Sequence, residues 1–201
     1  MRFTGASLTL CLSLTLACTD DGSSATDEDT STGDGDGDGD PTGDGDGDGD
    51  GDPELPPDFL AELTEVGGCG DVYIGATTPD GTLGVLFDGA PLAATAHMLG
   101  EPQVRESTLP SDDVELRIAT GSDLDQGCND AGPLPSVAQQ WTAVSGTVVL
   151  TVTPTGVAEP WAVPADATLE LSNVTFERDG LEPVTVDSWV FEDVSVGWFP
   201  G

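Results

Sequence analysis

Residues 112–118 read Asp-Asp-Val-Glu-Leu-Arg-Ile, a run in which apolar and charged side chains alternate. Because successive side chains of a strand point to opposite faces, this alternation predicts a β-strand with one apolar face and one charged face. The same period recurs in residues 147–153 and near the carboxyl terminus, where the apolar positions are Val194, Val196 and Trp198. These runs therefore predict a sheet with one face on an apolar core.

In a fourth run, residues 169–176, the apolar side chains change from odd to even positions halfway along. Leu169 and Leu171 fall on one side of the predicted strand, whereas Val174 and Phe176 fall on the other. A one-residue slip sends every later side chain to the opposite face, so one extra residue would return all four to the same face. The sequence therefore predicts a β-bulge at residues 172–173.

Turn-forming residues separate these runs. Residues 67–70, 77–81 and 178–180 are rich in glycine, proline and aspartate and predict turns. Repeated short strands separated by such turns are typical of an antiparallel sandwich or an open barrel. Residues 58–63 and 91–99 predict one or two short helices, the second beginning with proline and followed by glycine. We therefore expect a mainly β fold, either an antiparallel β-sandwich or an open barrel.

Before this domain lies a tract of low complexity. Gly33–Pro53 contains nine aspartates and nine glycines and no large apolar residue. Such a tract cannot bury apolar surface to offset the entropy of ordering, and its carboxylates repel one another. We therefore predict a disordered acidic linker over residues 18–57, followed by the folded domain, residues 58–201. Weak, diffuse cation binding by the alternating carboxylates is the alternative interpretation.

The amino terminus has the features of an export signal. A basic start is followed by ten predominantly apolar residues, Leu8–Ala17, which are too few to span a bilayer. Residues Leu14–Cys18 read Leu-Thr-Leu-Ala-Cys and resemble the bacterial lipobox. The resemblance implies that residues 1–17 are a lipoprotein signal peptide and that Cys18 is lipidated. An ordinary signal peptide cut at another position is the alternative.

The order of lipobox, Gly-Asp-rich spacer and compact β domain resembles that of outer-membrane lipoproteins of myxobacteria. This resemblance covers about the first quarter of the chain and implies architecture and location, with no activity attached. It implies a protein tied to the membrane by its lipid, on the periplasmic or the cell-surface side. Thr19, instead of aspartate, follows the cysteine, which by the same resemblance favours the outer membrane of the cell envelope.

The remaining cysteines predict a disulfide. The chain has four cysteines, of which Cys11 lies in the predicted signal peptide and Cys18 would carry lipid. An exported protein with two remaining cysteines, Cys69 and Cys128, is expected to pair them. Two free thiols or a metal site are the alternatives. A zinc site would need further ligands, and His97 is the only histidine of the chain.

The charge balance limits the partners. From Glu54 onward the chain has 24 acidic residues against Arg105, Arg117 and Arg178, and it contains no lysine. Nucleic acid and anionic lipid surfaces would repel such a domain. We therefore expect no nucleic-acid partner, and a protein or glycan ligand whose identity the sequence leaves open.

One loop is a candidate metal site. Asp123, Asp125, Asn129 and Asp130 place four oxygen-bearing side chains on a glycine-containing segment beside Cys128. Oxygen ligands suit calcium better than zinc. The alternative is a polar surface loop in which the same residues stabilise turns. No other cofactor is expected.

No catalytic constellation is recognisable in the sequence. A nucleophile elbow and a phosphate-binding loop are both missing, and His97 lies among alanines in a predicted helix. We therefore expect a non-enzymatic protein with a binding or structural role in the envelope. The alternatives are a calcium-dependent or carboxylate-based hydrolase and a carbohydrate-binding module. An exposed tryptophan would favour the module, whereas four buried tryptophans would simply be core.

Overall fold

The computed structural model describes residues 54–89 and 91–198. The predicted signal peptide, the lipidation of Cys18 and the Gly33–Pro53 linker lie outside the described residues. Within them, no helix has the length and apolar character needed to cross a membrane.

The domain is mainly antiparallel β, as the sequence predicted, with two short α-helices. The α-helices are α1, Phe59–Glu62, and α2, Ala93–Leu99, and a 3-10 helix spans Leu124–Cys128. The strands are β1 Glu65–Cys69, β2 Tyr73–Thr77, β3 Leu83–Asp88, β4 Gln103–Thr108, β5 Glu115–Ser122, β6 Ser136–Pro154, β7 Ala162–Glu177 and β8 Val184–Trp198.

These strands form a single sheet in the order β1-β2-β3-β5-β6-β7-β8. The long strand β6 carries β7 on one edge and two strands in succession on the other. On that second edge β5 pairs with its first part, where Arg117 lies opposite Thr142, and β4 pairs with its last part, where Gln103 lies opposite Val152. Strand β6 thereby belongs to both halves of the sheet and connects them.

The sheet curls until its first and last strands meet. The N–H of Gly70, just after β1, donates to the carbonyl oxygen of Trp198 at 2.8 Å, and the N–H of Gly197 donates to the carbonyl of Gly70 at 2.6 Å. The result is a nearly closed, barrel-like sheet. Of the two architectures that the sequence predicted, the structure thus has the barrel.

The inward faces of the strands enclose one apolar core. All four residues of the run with the changed parity, Leu169, Leu171, Val174 and Phe176, are buried. Asn173 has a φ of 50°, and the partners of β7 change there from Thr147–Ser172 to Ser145–Thr175. The predicted bulge is confirmed, since β7 advances three residues there while β6 advances two.

Helix α2 covers one end of the barrel. Ala93 and Ala96 are fully buried, and the Asp71 carboxylate accepts a hydrogen bond from the N–H of Ala93 at 2.9 Å. Nε2 of His97 lies 2.6 Å from the carbonyl oxygen of Pro164 on β7. Gly100 ends the helix in the left-handed conformation, with φ 68°. The helix predicted at residues 91–99 is therefore present, and it begins two residues later than expected.

The turn predicted at residues 67–70 begins only at Gly70, because residues 67–69 belong to strand β1. Gly67 and Gly68 lie opposite Gly75 and Ile74 of β2. A Cβ atom at Gly68 would lie 2.8 Å from the carbonyl oxygen of Tyr73 and 2.9 Å from that of Ser195 on β8. Glycine is needed here because two backbones pass close together, a requirement that composition alone does not distinguish from a turn.

Adjacent glycines test this account of closure. We expect Gly68→Ala to lower the free energy of unfolding by about 1–3 kcal/mol, because the added methyl group overpacks the contact between β1 and β8. Gly67→Ala is the matched control, since a Cβ atom there would meet nothing within 4 Å. Urea denaturation of both variants measures the difference. Equal stability of the two variants would contradict the close approach of the strands.

Candidate functional site

The predicted calcium residues lie on one exposed loop around the 3-10 helix. The side-chain amide of Gln126 donates to the carboxylate of Asp125, and Nδ2 of Asn129 donates to Oε1 of Gln126 at 2.8 Å. Oδ1 of Asn129 accepts a hydrogen bond from the N–H of Ala131 at 3.1 Å. These hydrogen bonds connect the side chains and the backbone within the loop.

In the part of the chain that the structure describes, no three His, Cys, Asp or Glu side chains form a group that could hold a metal ion. The carboxylates of Asp123, Asp125 and Asp130 are therefore not gathered at one point. Asp71 is instead engaged with the first turn of α2. Calcium binding at this loop stays a prediction without geometric support.

The disulfide between Cys69 and Cys128 is present, with a Cα–Cα distance of 5.7 Å. It fastens the 3-10 helix to the outer face of the sheet. There Leu124 packs with Leu86 and Ala119 in a small second apolar cluster, against which Tyr73 lies. Burial in this cluster raises the pKa of the Tyr73 hydroxyl. The loop predicted as a metal site thus has a structural role.

A cleft of about 440 Å³ lies where the chain leaves β4 and returns in β5. Asp88 on β3 and Glu115, its direct partner on the neighbouring strand β5, both line this cleft, and Arg117 contacts Glu115. Loss of solvent contacts raises the pKa of Asp88, and the charge of Glu115 raises it further, whereas Arg117 opposes the rise. Asp112 and Asp113 also line the cleft, which therefore has four carboxylates in its wall.

The four tryptophans divide into two pairs. Trp141 is buried, with the guanidinium of Arg178 5.1 Å from its ring centre, and Trp189 packs against Phe191 with ring centres 4.2 Å apart. The other two lie in solvent, since Trp161 is 65% exposed and Trp198 is 37% exposed. Trp141 is therefore part of the core, whereas Trp189 is only half-buried.

Trp161 is presented on a tight turn between β6 and β7. The N–H of Glu159 donates to the carbonyl of Ala162 at 2.7 Å, and the N–H of Ala162 donates back to the carbonyl of Glu159 at 3.2 Å. Pro160 restricts the backbone inside this turn. The turn lies beside Trp198, because Ala162 pairs with Trp198 across β7 and β8. A large aromatic ring is therefore held out in water on a constrained backbone.

Further exposed apolar side chains lie, like these two tryptophans, around the end of the barrel that α2 covers. Strand pairings bring the start of β4, the end of β6, the start of β7 and the end of β8 together there. Six of the ten large hydrophobic side chains that are exposed in the described residues lie on these elements, on the loop between β6 and β7, or on α2 itself. We call this surface the α2 end; its six apolar residues are Met98, Leu99, Val104, Val157, Trp161 and Trp198.

The charges around the α2 end have one sign. Its titratable acidic residues are Asp71, Glu101, Glu159 and Asp166. The guanidinium groups of the three arginines of the domain contact Asp113, Glu115 and Trp141 respectively. The α2 end is therefore apolar with an acidic border.

Sequence reasoning did not find this surface. Met98, Leu99, Val157 and Trp161 lie far apart in the sequence, and no periodic pattern connects them. The one available signal was a pair of large apolar residues directly before the helix-ending Gly100, where a polar last turn is the ordinary expectation.

No protein-family model, curated protein or solved structure matches this chain.

The raised pKa of Asp88 predicts a pH-dependent stability. Because the folded state holds this proton more tightly than the unfolded chain does, its contribution to stability is present at low pH. It is lost as the pH rises through the ordinary aspartate range and above it. We expect Asp88→Asn to raise the melting temperature near pH 7 and to give no gain at about pH 3. Melting curves across this range, with Asp112→Asn as the control, measure the effect. A lower melting temperature of Asp88→Asn near pH 7 would contradict it.

Proposed function

We propose that the chain is an envelope-anchored binding protein: lipid on Cys18 holds it at the outer membrane, the Gly33–Pro53 tract is a spacer, and the β domain binds a partner without catalysis. A tether and a spacer matter for a domain that must reach something, and the spacer would allow a reach of several tens of ångströms. The membrane would be contacted through the lipid, and the acidic domain would avoid nucleic acid.

The observation that carries the binding role is the α2 end. Soluble domains rarely keep contiguous apolar surface in water, and where they do, that surface usually contacts a partner. Here six of the ten exposed large apolar side chains of the described residues, two of them tryptophans, lie on elements at one end of the barrel. This concentration of exposed apolar side chains at one end supports a binding role.

The anchoring half of the proposal has a direct test. We expect Cys18→Ala to move the protein out of the outer-membrane fraction and out of the detergent phase on detergent phase separation. The cause is the loss of acyl chains, each buried CH₂ of which contributes about 0.8 kcal/mol to membrane binding.

The matched control is Cys11→Ala, which changes the other cysteine of the amino terminus and should leave fractionation as in the parent. Retention of Cys18→Ala in the outer-membrane fraction would contradict lipidation at this residue.

A second candidate, a carboxylate-based hydrolase, is favoured by the Asp88–Glu115 pair. Directly opposed residues on antiparallel strands have Cβ atoms about 4.5–5.5 Å apart, which is compatible with the close carboxyl pair of a retaining glycosidase. The raised pKa of Asp88 would suit the general acid. Against it, Glu115 is engaged with Arg117.

A panel of chromogenic glycosides separates the two candidates. The hydrolase predicts turnover that Glu115→Gln reduces by about 10²-fold or more and that Glu170→Gln, on β7 away from the cleft, leaves unchanged. The non-enzymatic proposal predicts no turnover by the parent chain. Turnover that Glu115→Gln abolishes would overturn it.

A further inference from the structure

We infer that the α2 end binds a segment of a partner protein that presents apolar side chains next to lysine or arginine. This inference rests on the proposed binding function and specifies the chemistry of its partner. It depends on three features of the surface: the composition of its apolar part, the constrained backbone that carries Trp161 and the sign of its border charges.

The apolar part has the composition of a protein interface. Aromatic residues and methionine are enriched in such interfaces, and tryptophan is prominent among the residues whose truncation costs most binding energy. Trp161 and Trp198 supply the aromatic rings, and Met98 adds an adaptable thioether side chain at the end of α2. The surface therefore has both large anchors and a side chain that can adjust to a partner.

The backbone that carries Trp161 is already fixed in the unbound domain. Two backbone hydrogen bonds close its turn, and Pro160 limits the conformations of that turn. Ordering of loops and side chains at an interface weakens association, so a backbone that is already fixed retains more of the contact energy. We therefore expect Trp161 to be the residue whose loss weakens binding most.

Charge selects a basic partner. The border of the α2 end is acidic, with Glu101 following α2 and Glu159 on the turn that carries Trp161. Opposite charges attract across an interface and like charges oppose association. A second copy of this acidic domain and the chain's own aspartate-rich tract are both repelled, whereas lysine or arginine on a partner would meet carboxylates.

The apolar part also favours a protein over a glycan. A sugar binds against flat aromatic rings with hydrogen-bonding groups around them. Trp161 and Trp198 offer flat rings, and the border carboxylates accept hydrogen bonds. The other four of the six apolar residues offer neither; they are Met98, Leu99, Val104 and Val157. The side-chain amide of Gln103, at the start of β4, already donates to the carbonyls of Glu101 and Pro102.

The test is fluorescence anisotropy with a labelled helical peptide of leucine and lysine, about 15 residues long. The protein is the full chain carrying Cys18→Ser, so that the result does not depend on lipidation. We expect saturable binding that Trp161→Ser weakens about tenfold or more. Leu134→Ser is the matched control, because Leu134 is 78% exposed but lies on a different loop, and we expect less than a twofold change from it.

A second peptide with glutamate in place of lysine tests the charge, and we expect no binding. Thermal melting of each variant shows that the fold is intact, which is expected because Trp161 and Leu134 are exposed. Equal binding of the lysine peptide to Trp161→Ser and to the parent would overturn the α2 end as the site and leave a binding function elsewhere on the domain. Equal binding of both peptides would overturn the charge selection. Trp161-dependent binding of cellohexaose would replace the protein partner by a glycan.

Discussion

The domain depends on the backbone contact between its first and last strands. The N–H of Gly70 donates to the carbonyl of Trp198, and the carbonyl of Gly70 accepts from the N–H of Gly197. At Gly68 the backbones of β1 and β8 are so close that a side chain would not fit. This contact turns an open sheet into a barrel with one core. The disulfide from Cys69 begins next to it and secures the outer cluster, so cross-link and closure support each other.

The same closure creates the candidate binding surface. Because β8 ends where β1 ends, Trp198 lies beside the turn that carries Trp161. A barrel of this kind leaves an opening at its end, and α2 fills it with two small buried alanines. The outer side of this helix then faces water, with Met98 and Leu99 exposed. The elements that complete the core thus leave the α2 end in solvent, and the acidic composition of the domain surrounds it with carboxylates.

The sequence predicted those features that depend on local patterns. Alternation over residues 112–118 and 147–153 located β5 and the last part of β6, and the parity change near Asn173 located a real bulge. The sequence did not predict the features that depend on contacts between distant parts of the chain. Gly67 and Gly68 read as a turn because a close crossing of strands also selects glycine. The α2 end could not be predicted from the sequence, because its residues lie at one end of the barrel only after the sheet has closed. Asp88 and Glu115 likewise become neighbours only through the pairing of β3 with β5.

If the α2 end is the face through which this domain binds a basic protein, a crosslinking group placed there will capture that protein. The most direct measurement is photo-crosslinking in cells that produce the protein, with a benzophenone amino acid at position 161 and, in a parallel strain, at position 134. We expect a discrete crosslinked product at position 161 alone, with a partner segment that mass spectrometry identifies as rich in lysine or arginine beside apolar residues. The same products at both positions, or a product at position 161 that contains a second copy of this chain, would contradict it.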